Sequence, residues 1–297
     1  MKSLSAQTKK LILFMAILSV CFAWPLFSLM RYAINDEFFS YIPLIPLISI
    51  YLTYLALPGL PKETKESWLA GIIPALAGVA LFVGVKWQIH SGWRPEMENY
   101  LTLAMAAYIL LLTGGCLIFL GTKICRLLAF QIIFLIFMIP MPSGLLAWTV
   151  AFFQQTSAAT AHAMLSMCGM AVFQEDLVLH LPGFSIVVAP ECSGIHSTMV
   201  LLITGALAGH LFLRSGWKRA LLIVVVVPLA ILRNGFRIFV IAELCVRISH
   251  DMINSPIHHK GGPIFFALSL IPFFALLYYL RKSELPLRPN VNDAVKA

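Results

Sequence analysis

Pro190-Glu191-Cys192-Ser193-Gly194-Ile195-His196-Ser197-Thr198 stands between a polar, strand-like segment and a long apolar run. It marks a junction between water and a membrane helix, and the rest of the chain reads outward from it. The first backbone N–H groups of a helix lack partners and carry partial positive charge, which favours a thiolate over a thiol. Glu191, next to the cysteine, works the other way. Cys192 is placed for chemistry, although a cysteine in such a chain is more often just a small apolar residue. The choice between the two depends on what the remainder of the chain supplies.

The remainder is membranous. Of 297 residues, 60% are hydrophobic and only 11% charged, and the mean hydropathy is +0.89. Soluble domains carry roughly a quarter charged residues, so this composition excludes them and predicts a multi-spanning membrane protein. The net charge of +8 would suggest a nucleic-acid partner in a soluble protein. Here it fits basic residues retained on the cytoplasmic face, and no nucleic acid is expected. Leu11–Leu29 follows Lys9-Lys10 as a signal peptide would, but it is long and lacks a small-x-small cleavage site, which predicts an uncleaved span. Cys21, Cys116, Cys125, Cys168, Cys192 and Cys245 form no CxxC pair and have no metal-ligand spacing. Neither a disulfide scaffold nor a metal or cofactor is expected.

A span needs about 20 apolar residues, and on that measure eight are expected. They are Leu11–Met30, Tyr41–Leu57, Trp68–Val85, Tyr100–Leu120, Leu127–Ile139, Ser197–Leu213, Ala220–Leu244 and Pro263–Leu280. With the N-terminus inside, the cytoplasmic segments hold Lys62, Lys65, Lys123, Arg126, Arg214, Lys218 and Arg219 among about two thirds of all Lys and Arg, a positive-inside bias. Both termini are then cytoplasmic and Cys192 faces outward across the plasma membrane. Between the fifth and sixth spans, Gln154–Met170 is polar enough for an interfacial helix. Val172–Leu181, the turn Pro182-Gly183 and Phe184–Ala189 read as a short extracytoplasmic hairpin leading into Cys192. The expected layout is a single all-α membrane domain with a small β element. It comprises N-terminal spans (11–153), the interfacial helix and hairpin (154–190), spans around the candidate site (191–280) and a polar tail (281–297).

Two polar clusters interrupt the apolar pattern. Arg233-Asn234-Gly235-Phe236-Arg237 lies in the seventh span, where a charge is costly and usually faces the bundle interior or a wet cavity. Asn234 and Arg237 share one helical face. Arginines at a span's end can instead snorkel to headgroups, but Ile238–Leu244 continues the apolar run. His258-His259-Lys260-Gly261-Gly262 precedes the last span and offers an acid/base near neutral pH, although a loop histidine is more often merely solvated. All three clusters fall on the outer side of the expected topology. A thiolate, an imidazole and a guanidinium at one aqueous edge suit acyl transfer: attack on a carbonyl, proton exchange and oxyanion stabilisation.

Glu191-Cys192-Ser193-Gly194, then Asn234-Gly235-Phe236-Arg237, then His258 with Gly262 and Phe266 resemble, in that order, the exosortase/archaeosortase family. Phe39–Ser49, Ile139-Pro140-Met141-Pro142 and Leu181-Pro182-Gly183 are similar to its pattern as well, so the resemblance runs from about Phe39 to about Leu280. It implies that Cys192 is the nucleophile, Arg237 the essential arginine and His258 the histidine, with His259 a one-residue competitor and His196 another possible proton partner. Asn234, Glu191 and Arg233 are supporting candidates. It further implies a membrane cysteine endopeptidase or transpeptidase without a cofactor. The partners would be membrane lipid and secreted substrates ending in a sorting motif (Pro-Glu-Pro in the bacterial case), a transmembrane segment and a basic tail. A transporter or channel is the alternative, given many spans and intramembrane arginines. A non-catalytic assembly protein is a third reading, in which Cys192→Ala would be silent.

Overall fold

A computed structural model describes residues 6–61, 67–249 and 261–284, with the backbone alone at residues 37, 191 and 192. The chain divides into two compact units, Met1–Leu146 and Ala147–Ala297.

Unit 1 holds α1 (Ala6–Cys21), α2 (Ala23–Asn35), α3 (Leu44–Ala56), α4 (Trp68–His90), α5 (Met97–Leu127), α6 (Ala129–Phe134) and the start of α7 (Ser143–Met167). α4 and α5 pack backbone to backbone. A Cβ on Gly71 would lie 2.7 Å from the Gly114 carbonyl, and one on Gly114 2.9 Å from the Gly71 carbonyl. Close approach through small residues is how helices associate where lipid is as apolar as the side chains. The prolines after α6 end regular helix, and α5 ties down the break. Thr102 Oγ1 donates to the Pro140 carbonyl at 2.8 Å, and the Ser143 N–H donates to Asn99 Oδ1 at 3.0 Å.

Unit 2 continues α7 and adds β1 (Phe173–Glu175), β2 (Val178–Leu181), β3 (Phe184–Val187), α8 (Ile195–Phe212), α9 (Gly216–Arg247) and α10 (Gly262–Lys282). The sheet has the order β1-β2-β3, all antiparallel, with Leu179 opposite Ile186 and His180 opposite Ser185. Leu179, Leu181, Ile186 and Val188 bury one face against Ala158, Ala161 and Leu165 of α7 and Ile238 and Ala242 of α9. The two-residue period of a strand turns the other row, including Phe173 and Val187, outward. A second core joins α8, α9 and α10 through Leu201, Leu222, Val226, Phe273 and Leu277.

Helices with a small sheet match the expected class, and two details differ. Five described helices (α4, α5, α8, α9, α10) are individually long and apolar enough to cross a membrane, or up to seven if each of two bent pairs is one span, against the eight expected. The candidate Tyr41–Leu57 yields only the 13-residue α3, about 20 Å long, because Tyr41–Pro43 is spent on a turn. Leu127–Ile139 yields the six-residue α6 and a 3-10 turn, Leu135–Met138. The hairpin is a three-stranded meander. Asp176, at φ 50°, makes a second tight turn that splits Val172–Leu181 into two strands. α7 runs unbroken from Ser143 to Met167.

Candidate functional site around the Cys192 turn

Proline, with its fixed φ, opens the short 3-10 turn Pro190–Ser193, and Gly194 closes it at φ 69°, ψ 15°. That left-handed conformation favours glycine. It reverses the chain so that α8 begins at Ile195, three residues beyond Cys192. The Gly194 carbonyl accepts the first helical bond from the Thr198 N–H (3.0 Å), and also the hydroxyls of Thr198 (2.8 Å) and Ser197 (3.1 Å). Ser193 is buried beneath the turn, and His196 lies in the first turn of α8, half-buried.

The turn rests on α9. Arg233 Nη2 donates to the Gly194 carbonyl at 3.1 Å. A Cβ added to Gly194 would sit 2.9 Å from that nitrogen and 3.0 Å from Asn234 Oδ1. Asn234 in turn donates from Nδ2 to Ser157 Oγ of α7 at 3.0 Å, both residues being buried. Gly235 lets the helices approach this closely, since a Cβ there would meet the Thr160 side chain at 2.6 Å. The chain segment before the turn is held as firmly: Gln154 Nε2 donates to the Val188 carbonyl at 2.7 Å.

The electrostatics are unusual for a resting structure. Arg233 is 8% exposed, and its Nη1 has no hydrogen-bond partner among the described residues. A cation at the positive end of a helix is repelled rather than stabilised, and a buried spare donor is costly. Arg237, one turn further along α9, is half-buried and adds a second positive charge. Together with the partial positive charge at the start of α8, they make a setting suited to a negative charge. Among the described residues, no three His, Cys, Asp or Glu side chains come together as a metal site.

The structure brings together the Cys192 turn, Arg233 and Asn234, with Arg237 on the same helix. His258 and His259 lie outside the described residues, as do the side chains of Cys192 and Glu191. Sequence reasoning missed Gln154 and Ser157 as parts of the scaffold. Their spacing of three, in line with the buried Ala161 and Leu165, was the available signal; their polarity was read as a preference for the membrane surface. Both are buried because protein groups satisfy them.

This is a polytopic membrane protein with a cysteine at a helix mouth, seated on a buried arginine. The chain matches the family model described as transmembrane exosortase over residues 33–275, and it belongs to that family. Membership implies sorting-signal processing as its general work, within a family of cysteine peptidases and transpeptidases. No curated protein and no solved structure matches the chain.

Proposed function

We infer that the protein is a membrane cysteine endopeptidase or transpeptidase that cuts C-terminal sorting signals of secreted proteins at the outer face of the plasma membrane. The observation that carries this reading is the seating of the Gly194 turn on Arg233 and Asn234, which joins two motifs that lie 39 residues apart in sequence. The Cys192 thiolate attacks the scissile carbonyl, forming a C–S bond, and Arg237 stabilises the oxyanion. The C–N bond then breaks as His258, or His259 in its place, gives a proton to the leaving amine. Water or an amine acceptor attacks the thioester, the C–S bond breaks, and the thiolate is regenerated while the histidine takes the acceptor's proton.

Membrane geometry supports the placement. α9 has 32 residues, about 48 Å of helix against a hydrocarbon core of about 30 Å. Counting from Gly216 at the cytoplasmic end, Arg233 and Arg237 come about 26–32 Å along the axis, at the outer edge. A substrate held by its own transmembrane helix would present its cleavage site at that depth, with tethering supplying effective concentration.

The test uses a reporter carrying a Pro-Glu-Pro-type motif, a transmembrane segment and a basic tail, co-expressed with the wild type or Cys192→Ala, alongside labelling of intact cells with a membrane-impermeant thiol reagent. Processing and labelling that both disappear in the mutant are the expected result. Unchanged processing in Cys192→Ala overturns the reading, and labelling of Cys116 or Cys125 instead of Cys192 overturns the topology. No observation favours the transporter alternative.

A further inference from the structure

We propose that the free edge of β3 is the docking strand for the substrate, which adds as a fourth, extended strand and is thereby fed into the Cys192 turn. The proposal rests on the peptide-cleaving reading above and names the surface that reads the peptide.

In an antiparallel pair, successive residues point their N–H and C=O groups alternately toward and away from the partner. The Val188 N–H donates to the Leu177 carbonyl at 2.9 Å, so Val188, Ile186 and Phe184 face β2. Ser185 and Val187 then direct their backbone groups away from the sheet. β3 is an edge strand, Ser185 is exposed and Val187 is 63% exposed. No backbone hydrogen bond involves the outward groups of either residue among the described residues. Such a row cannot face lipid. Its complement is the backbone of an extended peptide, the recognition mode in which a strand is added to a sheet edge.

Position separates this edge from any other exposed strand. β3 runs directly into the turn, and Gln154 fixes the carbonyl of Val188 where the strand ends. Cys192 lies five residues on from Val187, a reach of about 18 Å at most. A peptide paired along Ser185–Val187 therefore places its scissile bond at Cys192 within about five residues of the paired segment. Backbone pairing tolerates varied side chains, which suits an enzyme whose substrates share only a short motif. A second copy of this chain is a poorer occupant: two open residues bury far less than the roughly 1,200 Å² of a stable interface.

The experiment measures cleavage of the same reporter by the full-length enzyme reconstituted in phospholipid vesicles. Ser185→Pro and Val187→Pro each remove one outward donor and no backbone sheet bond; Ser185→Pro also removes the cross-strand contact of Ser185 Oγ with His180 Nδ1 (2.8 Å), which Val187→Pro leaves intact. Gln174→Pro places the same perturbation on the outward position of β1, the opposite edge. The expected result is a KM raised about 3- to 10-fold by either β3 proline, with kcat and Cys192 labelling retained and Gln174→Pro at wild-type KM. Wild-type KM in both β3 variants overturns the proposal, as does an equal rise in Gln174→Pro, which would mean general damage to the sheet. If a proline variant fails to accumulate, a proline scan of the reporter's non-proline positions decides. Slowing at alternate positions within five residues of the cut supports pairing, and slowing without that period overturns it. A reporter that the wild type does not cleave counts against the catalytic reading itself, and cleavage with unaltered KM counts only against the edge.

Discussion

The two ends of α8 are each fastened to α9 by an arginine, and they are fastened differently. At the Leu213 end, Arg219 gives both Nε (2.9 Å) and Nη2 (2.7 Å) to the Leu213 carbonyl. The Glu284 carboxylate accepts the N–H groups of Arg214 and Ser215. Buried Lys218 donates to Ser283 Oγ at 2.7 Å and lies 3.8 Å from Glu284. Here the cation meets the negative end of a helix dipole and an acid caps the start of the next helix, as electrostatics favours. At the Gly194 end, Arg233 meets the positive end of α8, makes one bond to the turn and retains a spare buried donor. The first joint is built to be stable. The second keeps a buried donor with no partner among the described residues, at the turn that carries Cys192.

That contrast can be broken by mutation. The largest effect is expected of Cys192→Ala, which should lower reporter processing about 10³-fold or more without changing the melting temperature of the purified protein. Arg237→Gln should cost about 10²- to 10³-fold in kcat with Cys192 labelling retained; a loss confined to KM would mean that Arg237 binds substrate and does not stabilise the oxyanion.

Arg233→Gln and Arg219→Gln form the direct comparison. The former should reduce processing about 10-fold through the lost charge-assisted bond, and the latter should lower the melting temperature while kcat is unchanged. Equal effects on kcat would erase the distinction between the two ends. Gly194→Ala should destabilise by about 1–2 kcal/mol, the cost of a side chain in the left-handed region, read as a lower melting temperature together with slower processing.

The smallest effect is expected at Glu284. The backbone N–H groups of Arg214 and Ser215 hold its carboxyl below the ordinary glutamate range. A carboxyl with a lowered folded-state pKa contributes stability above its unfolded value and loses it as pH falls through the folded one. Glu284→Gln should therefore melt slightly below wild type at neutral pH, with the gap closing in acid. A gap independent of pH would mean that the cap acts through packing alone.

Much of this was legible in residue order. The apolar runs Trp68–Val85, Tyr100–Leu120, Ser197–Leu213, Ala220–Leu244 and Pro263–Leu280 each fall within or largely coincide with a long helix, because hydrocarbon requires every backbone group to be satisfied within the segment. The cluster Arg233–Arg237 stood out for a related reason: a charge in an apolar helix is too costly to persist without a purpose. Shorter features were less legible. Tyr41–Leu57 and Leu127–Ile139 have the composition of spans, but local turns consume part of each. Hydropathy measures how apolar a segment is, and it does not register where the backbone leaves the helix.

The sequence by itself determined the membrane class, the long spans, the family and the three clusters of candidate residues, since these follow from composition and from side chains whose cost or reactivity is intrinsic. Tertiary structure decided which groups meet. The polar face of α7 turns inward because Val188 and Asn234 offer its glutamine and serine partners that lipid cannot. Gly194 is glycine both for its own φ and because Arg233 and Asn234 occupy the space a side chain would need. Such facts depend on close approach between segments distant in sequence, and no local pattern encodes them.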